Sequence, residues 1–534
     1  MTRTSKTILR ASAGIVAVWL AVQLAFDLYP ERPGELDPAM ELAPARPDMS
    51  LREVFETFPG TDGPPKAGLR LLSDNDIAWA ARWELLHAAG QRIDVSYFIL
   101  EQDVVGVAFL GHLLKKAEAG VQVRILLDAF GSKMSWHPTG NDYLDALVNT
   151  GNVEVRMFRP LLRRALQATM HLSPSVLVAS EHDKILVVDG ARSITGGRNI
   201  AMGYFADPET FDHAYRDVCV EVSDPDVARA LTRAFEAQFL EDSAEPVHRE
   251  RLNIQSQKKD LDLAYRMMDA WLNGRELPAE ATEGPAAAWR AELDELERLR
   301  GVLKRPAPPY IVAEARVLDS AVRFNAPGDP ISEAVARVVR AARQEIFVQN
   351  PYVALSERAV ELLAQASERG VPITLFTNSP ASGDSAVMQA AFLHQWPWLL
   401  ARAPTLRLYG SGEDGIILHA KLATIDGTLS LVGTYNLDPL SMAVNSEVVL
   451  AVWSPEFAQR LAADARRLLQ RGPPYAYRYD IARNPDGTPA LDEDRRPVVA
   501  YGPADHTSPS GSTTLGAYLW VLETAAAMGM SPFF

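Results

Sequence analysis

Cysteine is almost absent. Cys219 is the only one in 534 residues, so the chain has no internal disulfide, and without a CxxC pair or a Cys/His cluster it lacks the ligand set of a structural zinc. Positive charge is also short. Lys and Arg number 53 against 68 Asp and Glu, a formal net charge of −15. That balance argues against a general polyanion binder, whose affinity comes from clustered cations releasing counterions. Long apolar runs are scarce too: Ala11 to Phe26 is uncharged over sixteen residues, a helical rise of about 24 Å against a hydrocarbon core of roughly 30 Å. What is present is ordinary core material, 47 % apolar residues. At about 100 to 200 residues per domain the length allows two to four units.

The Ala11 to Phe26 run follows Arg3, Lys6 and Arg10 and closes at Asp27 and Pro30. Residues 1–29 therefore read as a membrane-directed segment, an uncleaved signal anchor lengthened by Ile8, Leu9 and a snorkelling Arg10, with a cleaved signal peptide as the alternative. The basic flank stays cytoplasmic, which places the rest of the chain outside the cytosol. Residues 30–67 are rich in proline and read as a spacer.

The body repeats itself. A strand pattern at Gln91 to Leu100, a helical stretch at Val104 to Ala119 and a strand at Gly120 to Asp128 return in the same order at Gln344 to Val353, Glu357 to Arg369 and Gly370 to Thr377. Strands alternating with helices predict an α/β fold, and two such units predict an internal duplication. The expected organisation is a first repeat over 68–246, a helical insertion or linker over 247–309, a second repeat over 310–474 and a C-terminal tail over 475–534. The tail's apolar run, Leu515 to Met530, reads as a helix docked on the body.

Of ten histidines, two open the pattern His-x-Lys-x4-Asp: His182, Lys184 and Asp189 in HDKILVVD, then His419, Lys421 and Asp426 in HAKLATID. At matched spacing Gly196, Gly197 and Asn199 follow the first, and Gly433, Thr434 and Asn436 the second. Residues two apart on a strand share a face, so each imidazole projects beside its lysine. Asp189-Gly190 and Asp426-Gly427 are tight-hairpin dipeptides, which favours a structural role for the two aspartates over direct catalysis. Packed about a pseudo-twofold axis, the repeats would bring two imidazoles and two ammonium groups into one pocket. Such a pocket suits a phosphodiester: one histidine attacks phosphorus, the other protonates the leaving oxygen, and the lysines and asparagines stabilise charge on the remaining oxygens.

With its doubled His-x-Lys-x4-Asp, the sequence resembles the phospholipase D superfamily, closest to the bacterial cardiolipin synthase branch. The resembling segments are EHDKILVVDGARSITGGRNIAMGYF, YRDVCVEV, GVQVRILLDAFGS, NPYV and LHAKLATIDGTLSLVGTYNLDPLSMAVNSEV. The resemblance implies two homologous α/β/α sandwich repeats sharing one active site, preceded here by the N-terminal membrane segment. It implies a covalent phosphohistidine on His182, with His419 as the general acid and then the base. It also implies a carboxylate after each motif that orients a histidine, at Asp217 and Glu447. No cofactor and no metal are expected.

The expected activity is phosphatidyl transfer between phospholipids, phosphatidylglycerol or similar, at the bacterial inner membrane with the catalytic body on the periplasmic side. Both half-sites lie in one chain, so a monomer suffices. The alternatives are a phospholipase D releasing phosphatidic acid, an extracytoplasmic nuclease, which the acidic charge disfavours, and a non-catalytic scaffold, which two complete motifs disfavour. Nucleic acid is not an expected partner. Two further features could meet lipid: Phe392 to Leu400 (FLHQWPWLL) at an interface, and Arg159, Arg163 and Arg164 at head groups. Core or lid packing for the first and a solvated helix face for the second are the commoner outcomes.

Overall fold

The computed structural model describes residues 46, 48–59, 66–132, 143–171, 175–248, 254–322, 329–383, 385–412 and 417–506. The expected segment 1–29 and the run 515–530 lie outside them, and among the described residues no helix is long and apolar enough to cross a membrane.

The architecture is α/β around one large sheet. The first part of the chain supplies β1 (Lys66–Leu72), β2 (Arg92–Tyr97), β3 (Gln122–Asp128), β4 (Val153–Phe158), β5 (Lys184–Val188), β6 (Arg192–Gly196), β7 (Tyr215–Arg216), β8 (Cys219–Ser223) and β9 (Ala244–Pro246). Here β2, β3 and β4 are parallel, with the helix Val104–Glu118 crossing from β2 to β3. The others add antiparallel: β5 on β2, β6 on β5, β8 on β6, β1 on β8 and β9 on β4.

The second part supplies β10 (Ile311–Ser320), β11 (Ile346–Gln349), β12 (Ile373–Thr377), β13 (Leu406–Ser411), β14 (Ile417–Leu418), β15 (Lys421–Ile425), β16 (Leu429–Gly433), β17 (Glu447–Trp453), β18 (Ala476–Ile481) and β19 (Val499–Tyr501). Strands β11, β12 and β13 are parallel; β15 pairs with β11, β16 with β15, β17 with β16, β10 with β17 and β18 with β13, all antiparallel. Antiparallel pairing of β1 with β10, from Lys66 opposite Glu314 to Leu69 opposite Ile311, joins all of these strands except β7 and β14 into one 17-stranded sheet.

Both faces of the sheet are covered, which is why the central strands are apolar runs and not alternating ones: every residue of β5 (KILVV) is buried. One core packs Trp79, Phe109 and Ile125 beneath the helices of the first part. A second mixes both parts, with Leu69, Val187 and Phe235 against Phe347, Leu450 and Leu468. A third packs Ile331, Leu375, Phe392 and Trp396.

In four segments the structure adds to the expectation. Within the spacer, Leu51–Glu56 is a helix with a Ser50 capping box, and it buries Leu51, Val54 and Phe55, the last 5.6 Å from Trp453. In the insertion, the helix Ile254–Leu272 puts Met267, Met268 and Trp271 into the first core. At the start of the tail, β18 extends the sheet past Pro474. Finally, Phe392, Trp396, Leu399 and Leu400 are core residues, with Trp396 against Tyr479 at 5.4 Å; Trp398 alone of the large side chains there is exposed.

Candidate active site

The site forms where β5 and β15 begin. Lys184 and Lys421 are the first residues of these strands, and His182 and His419 stand two residues earlier on the same faces. All four side chains are buried. Segments from the two parts of the chain are laced together at this point. Glu181 bridges to Ser446 in parallel, the Ser446 N–H donates to the Ser180 carbonyl (3.1 Å), and the His182 N–H donates to the Ser446 hydroxyl (3.0 Å). On the other side β14 pairs in parallel with β7, and the His419 N–H donates to the Arg216 carbonyl (2.8 Å).

This lacing crosses the carboxylates. His182 Nδ1 faces Glu447 Oε1 at 2.9 Å and Oε2 at 3.0 Å, whereas His419 Nδ1 faces Asp217 Oδ2 at 2.6 Å. Each imidazole is thus oriented by the acid that follows the other motif. With Nδ1 engaged, Nε2 is the nitrogen left for chemistry. Each lysine folds back onto its own strand: Lys184 Nζ donates to the His182 carbonyl (2.6 Å) and Lys421 Nζ to that of His419 (2.7 Å). Lys421 Nζ also lies 2.9 Å from Nδ1 and 3.1 Å from Nε2 of His419.

The two pairs differ electrostatically. Burial, helped by the positive charges of Lys184 and Lys421 and by His419, holds His182 well below the usual imidazole range. Burial pushes Glu447 well above the usual carboxylate range, although Lys184, Ser441 and Thr434 oppose it. Both shifts disfavour an imidazolium at this contact, and we read it as the Nδ1–H of a neutral imidazole donating to a carboxylate whose charge Lys184, Ser441 and Thr434 support. Burial also raises Asp217, but its charge and hydrogen-bond interactions with His419, with Lys421 and Arg198 behind them, outweigh it and leave a net lowering. Asp217 is an ionised carboxylate against its imidazole.

Other expected residues divide. Asn199 and Asn436 are buried close by. Asn199 gives its amide N–H to the Tyr204 hydroxyl (2.9 Å) and accepts the Ile99 N–H (3.1 Å). Asn436 holds a buried side-chain oxygen with no partner. Asp189 and Asp426 are not at the imidazoles. Each sits at the far end of its strand in a turn whose Asp and Gly both have positive φ (52° and 63°; 50° and 60°). The Asp189 carboxylate accepts the N–H groups of Gly90, Gln91 and Arg92, all at 2.8 Å, and Asp426 accepts those of Arg343, Gln344 and Glu345. Their role is to tie the hairpins to the start of β2 and β11. Arg159 and Arg164 do not present a basic face: both are buried, and Arg164 forms two hydrogen bonds to Asp128 (3.0 and 2.9 Å).

Several neighbours escaped the sequence reading. Tyr204 places its hydroxyl 3.4 Å from His419 Nε2, and Phe98 meets the His182 ring edge to face at 5.1 Å. The hydroxyls of Thr434 and Ser441 both donate to Glu447 at 2.5 Å. Extending the repeat comparison five residues past each asparagine would have found Tyr204 and Ser441 at equivalent places. Gly197 is required by approach: a Cβ there would stand 2.2 Å from Asp217 Oδ1. A cavity of about 160 Å³ has Asp217 in its wall with Asp76, Asp207 and Asp464, but neither imidazole. Arg216, Arg298 and Arg467 line it as well, and it is distinct from the candidate centre at the histidine pair. Among the described residues, no group of three or more His, Cys, Asp and Glu is placed to hold a metal ion.

A large mixed sheet carrying two buried His-Lys pairs with crossed carboxylates defines a phospholipase D-like protein. The chain belongs to the family described as cardiolipin synthase, PLD-like domain, whose model matches residues 83–239 and 335–469. Cardiolipin synthase C of Escherichia coli (strain K12) is 28 % identical over 424 residues, covering 74 % of this chain and 83 % of that protein. Cardiolipin synthase 1 of Bacillus anthracis is 24 % identical over 416 residues, covering 78 % and 69 %. Among solved structures, the phosphatidylserine synthase of Haemophilus influenzae Rd KW20 shares the fold, with a TM-score of 0.56 at 13 % identity over 90 % of this chain and 98 % of that one.

Proposed function

We propose that the chain is a phospholipid phosphatidyltransferase of the cardiolipin synthase type, working through a phosphohistidine on His182. The observation that carries the reading is the crossed pairing of the imidazoles. One ring is neutral beside Glu447 and has a lone pair to give, and the other is held against an ionised Asp217 and has a proton to give. The relatives named as cardiolipin synthases support the substrate class.

In the first half-reaction His182 Nε2 attacks the phosphorus of a donor such as phosphatidylglycerol. The P–N bond forms, the bond to the glycerol oxygen breaks, and His419 gives that oxygen its Nε2 proton. In the second, His419 Nε2 takes the proton from the hydroxyl of an acceptor lipid, whose oxygen attacks phosphorus and expels His182. Lys184, Lys421, Asn199 and Asn436 line the path of the non-bridging oxygens.

The two motif-bearing parts, 68–246 and 310–474, are read as homologous repeats about a pseudo-twofold axis. The same strand order in each part and the equivalence of the Glu181–Ser446 and β14–β7 contacts support that reading. One chain then carries a complete centre and works as a monomer. Residues 1–29 hold it at the membrane with the catalytic body on the extracytoplasmic side.

The test is product analysis with phosphatidylglycerol labelled in its acyl chains and head group. Cardiolipin with free glycerol is the expected outcome. Phosphatidic acid alone would make the chain a hydrolase, and cleavage of DNA without lipid turnover would overturn the lipid reading.

A further inference from the structure

The helix Leu161–His171 is built inside out. Its arginine Arg164 turns inward, giving two hydrogen bonds to Asp128 and one to the Ala179 carbonyl (2.7 Å), and Arg159 just before it is buried on the same Ala179 carbonyl (2.6 Å). Its leucines turn outward: Leu161 is 62 % exposed, Leu162 84 % and Leu166 52 %. Phe130, 54 % exposed, packs under the Arg164 guanidinium at 5.5 Å, and Leu177, 41 % exposed, offers Arg164 its carbonyl at 3.1 Å. A water-facing helix does the reverse, and clustered exposed apolar side chains mark an interaction surface.

We propose that this leucine face is an interfacial docking surface that seats the mouth of the active site on the lipid bilayer; the proposal rests on the phospholipid reading above. Charge selects the occupant. Asp and Glu make up about one residue in eight of the chain (68 of 534), yet from Arg159 to Ser180 there is none. The segment that carries the leucines thus brings no negative charge of its own to anionic head groups, and the neighbouring Glu245 lies 3.7 Å from the Arg163 guanidinium. The surface is also coupled to the chemistry. Arg164 ties the helix to Asp128, and Asp128 Oδ2 accepts the N–H of Glu181 (2.9 Å), the residue next to His182. Lipid seated on the leucines therefore meets a rigid path of one ion pair and one hydrogen bond to the nucleophile.

The chain suits a direct test because its one cysteine, Cys219, is buried. Leu162→Cys and, on the helix Pro455–Leu461, Arg460→Cys are each labelled with an environment-sensitive dye. The full chain is then reconstituted in phosphatidylglycerol/phosphatidylethanolamine vesicles containing a lipid-borne quencher. Quenching at 162 and not at 460 is expected. Absence of quenching at 162, equal quenching at both, or cross-linking of two copies through 162 would overturn the proposal. A second measurement uses the triple variant L161S/L162S/L166S. Turnover of vesicle phosphatidylglycerol should fall at least about tenfold while a short-chain monomeric analogue is turned over as before; an equal loss on both would make the face merely structural. If the unmodified chain turns over neither lipid, the transferase reading fails, and the quenching result still decides the docking surface.

Discussion

Replacing Glu447 by Gln tests the crossed pairing at the point where it is most constrained. The carboxylate takes His182 Nδ1 at 2.9 and 3.0 Å and the hydroxyls of Thr434 and Ser441 at 2.5 Å each. Neither hydroxyl can reverse freely. Thr434 already accepts the Val448 N–H (2.9 Å) and Ser441 that of Asn436 (3.2 Å), so each keeps its own proton to donate. Three donors therefore face one side chain, and glutamine brings one oxygen and two further N–H groups. If its oxygen stays on Nδ1, the loss is that of a charge-assisted hydrogen bond, about 1.5 to 3 kcal/mol, or about 10- to 150-fold in rate at 1.36 kcal/mol per decade. If its NH₂ turns to Nδ1, the imidazole is forced into the tautomer with the proton on Nε2 and has no lone pair for phosphorus. That outcome approaches the roughly 10⁴-fold loss known for an amide in place of the orienting carboxylate of a catalytic triad. With an orphaned donor in either arrangement, we expect at least about 100-fold. The assay is a rapid-quench measurement of glycerol release from head-group-labelled phosphatidylglycerol, with the thermal melt checked in parallel. Release within threefold of the unmodified chain, or a slow step confined to acceptor transfer, would refute an orienting role of Glu447 on the nucleophile.

Gly197→Ala would set a Cβ 2.2 Å from Asp217 Oδ1. It should swing that carboxylate off His419 and cost at least about tenfold in kcat together with about 1 to 3 kcal/mol of overpacking, read by kinetics and denaturant melts. Asp189→Asn removes charge from an acceptor of three backbone N–H groups and should cost about 1 kcal/mol of stability while kcat per folded molecule stays within about threefold; a hundredfold fall in kcat would return Asp189 to the chemistry. Tyr204→Phe takes the hydroxyl from His419 Nε2 and from the Asn199 amide, and a fall of roughly 3- to 30-fold in kcat with an altered pH profile is expected. For pH itself, His182 must be neutral to attack and is held below its ordinary value of 6.5. Activity should therefore persist as pH falls through 6.5 and be lost only below it, and Lys184→Met, which removes one of the depressing charges, should move that limb upward. The same sign applies to stability: the unfolded chain takes up this proton first, so stability is lost as pH falls from 6.5 toward the folded value.

What could be read from the chain in advance was whatever local spacing encodes. His182, Lys184, His419 and Lys421 are fixed by alternation along two strands, and the Asp-Gly turns by the left-handed backbone that dipeptide favours, which the positive φ values bear out. What could not be read depends on contacts distant in sequence. Nothing local says that His182 pairs with Glu447 and His419 with Asp217; that follows from Ser180 and Glu181 meeting Asn445 and Ser446, some 265 residues later. Arg159, Arg163 and Arg164 look like a surface cluster until Asp128, 36 residues before Arg164, draws its guanidinium inside. The helix Leu51–Glu56 is hidden by the prolines around it, because its three buried side chains, Leu51, Val54 and Phe55, and Phe58 just after it find their partners in the third core.

The two motifs match in sequence, yet their surroundings differ. At the position of Gly197, Thr434 adds a hydroxyl that donates to Glu447, whereas Gly197 only makes room for Asp217. Five residues past each asparagine, Ser441 gives Glu447 a second hydroxyl, while Tyr204 leaves Asp217 alone and reaches His419 Nε2 instead. Beside His182 stand the buried acids Glu181 and Asp183, where Leu418 and Ala420 flank His419. Burial holds Glu447 well above the usual carboxylate range although Lys184 and the two hydroxyls oppose it, whereas Asp217, surrounded by His419, Lys421 and Arg198, is held below that range. A symmetric pair of histidines would share one proton and attack from either side. If His182 attacks and His419 protonates, as proposed above, these differences give each ring its task.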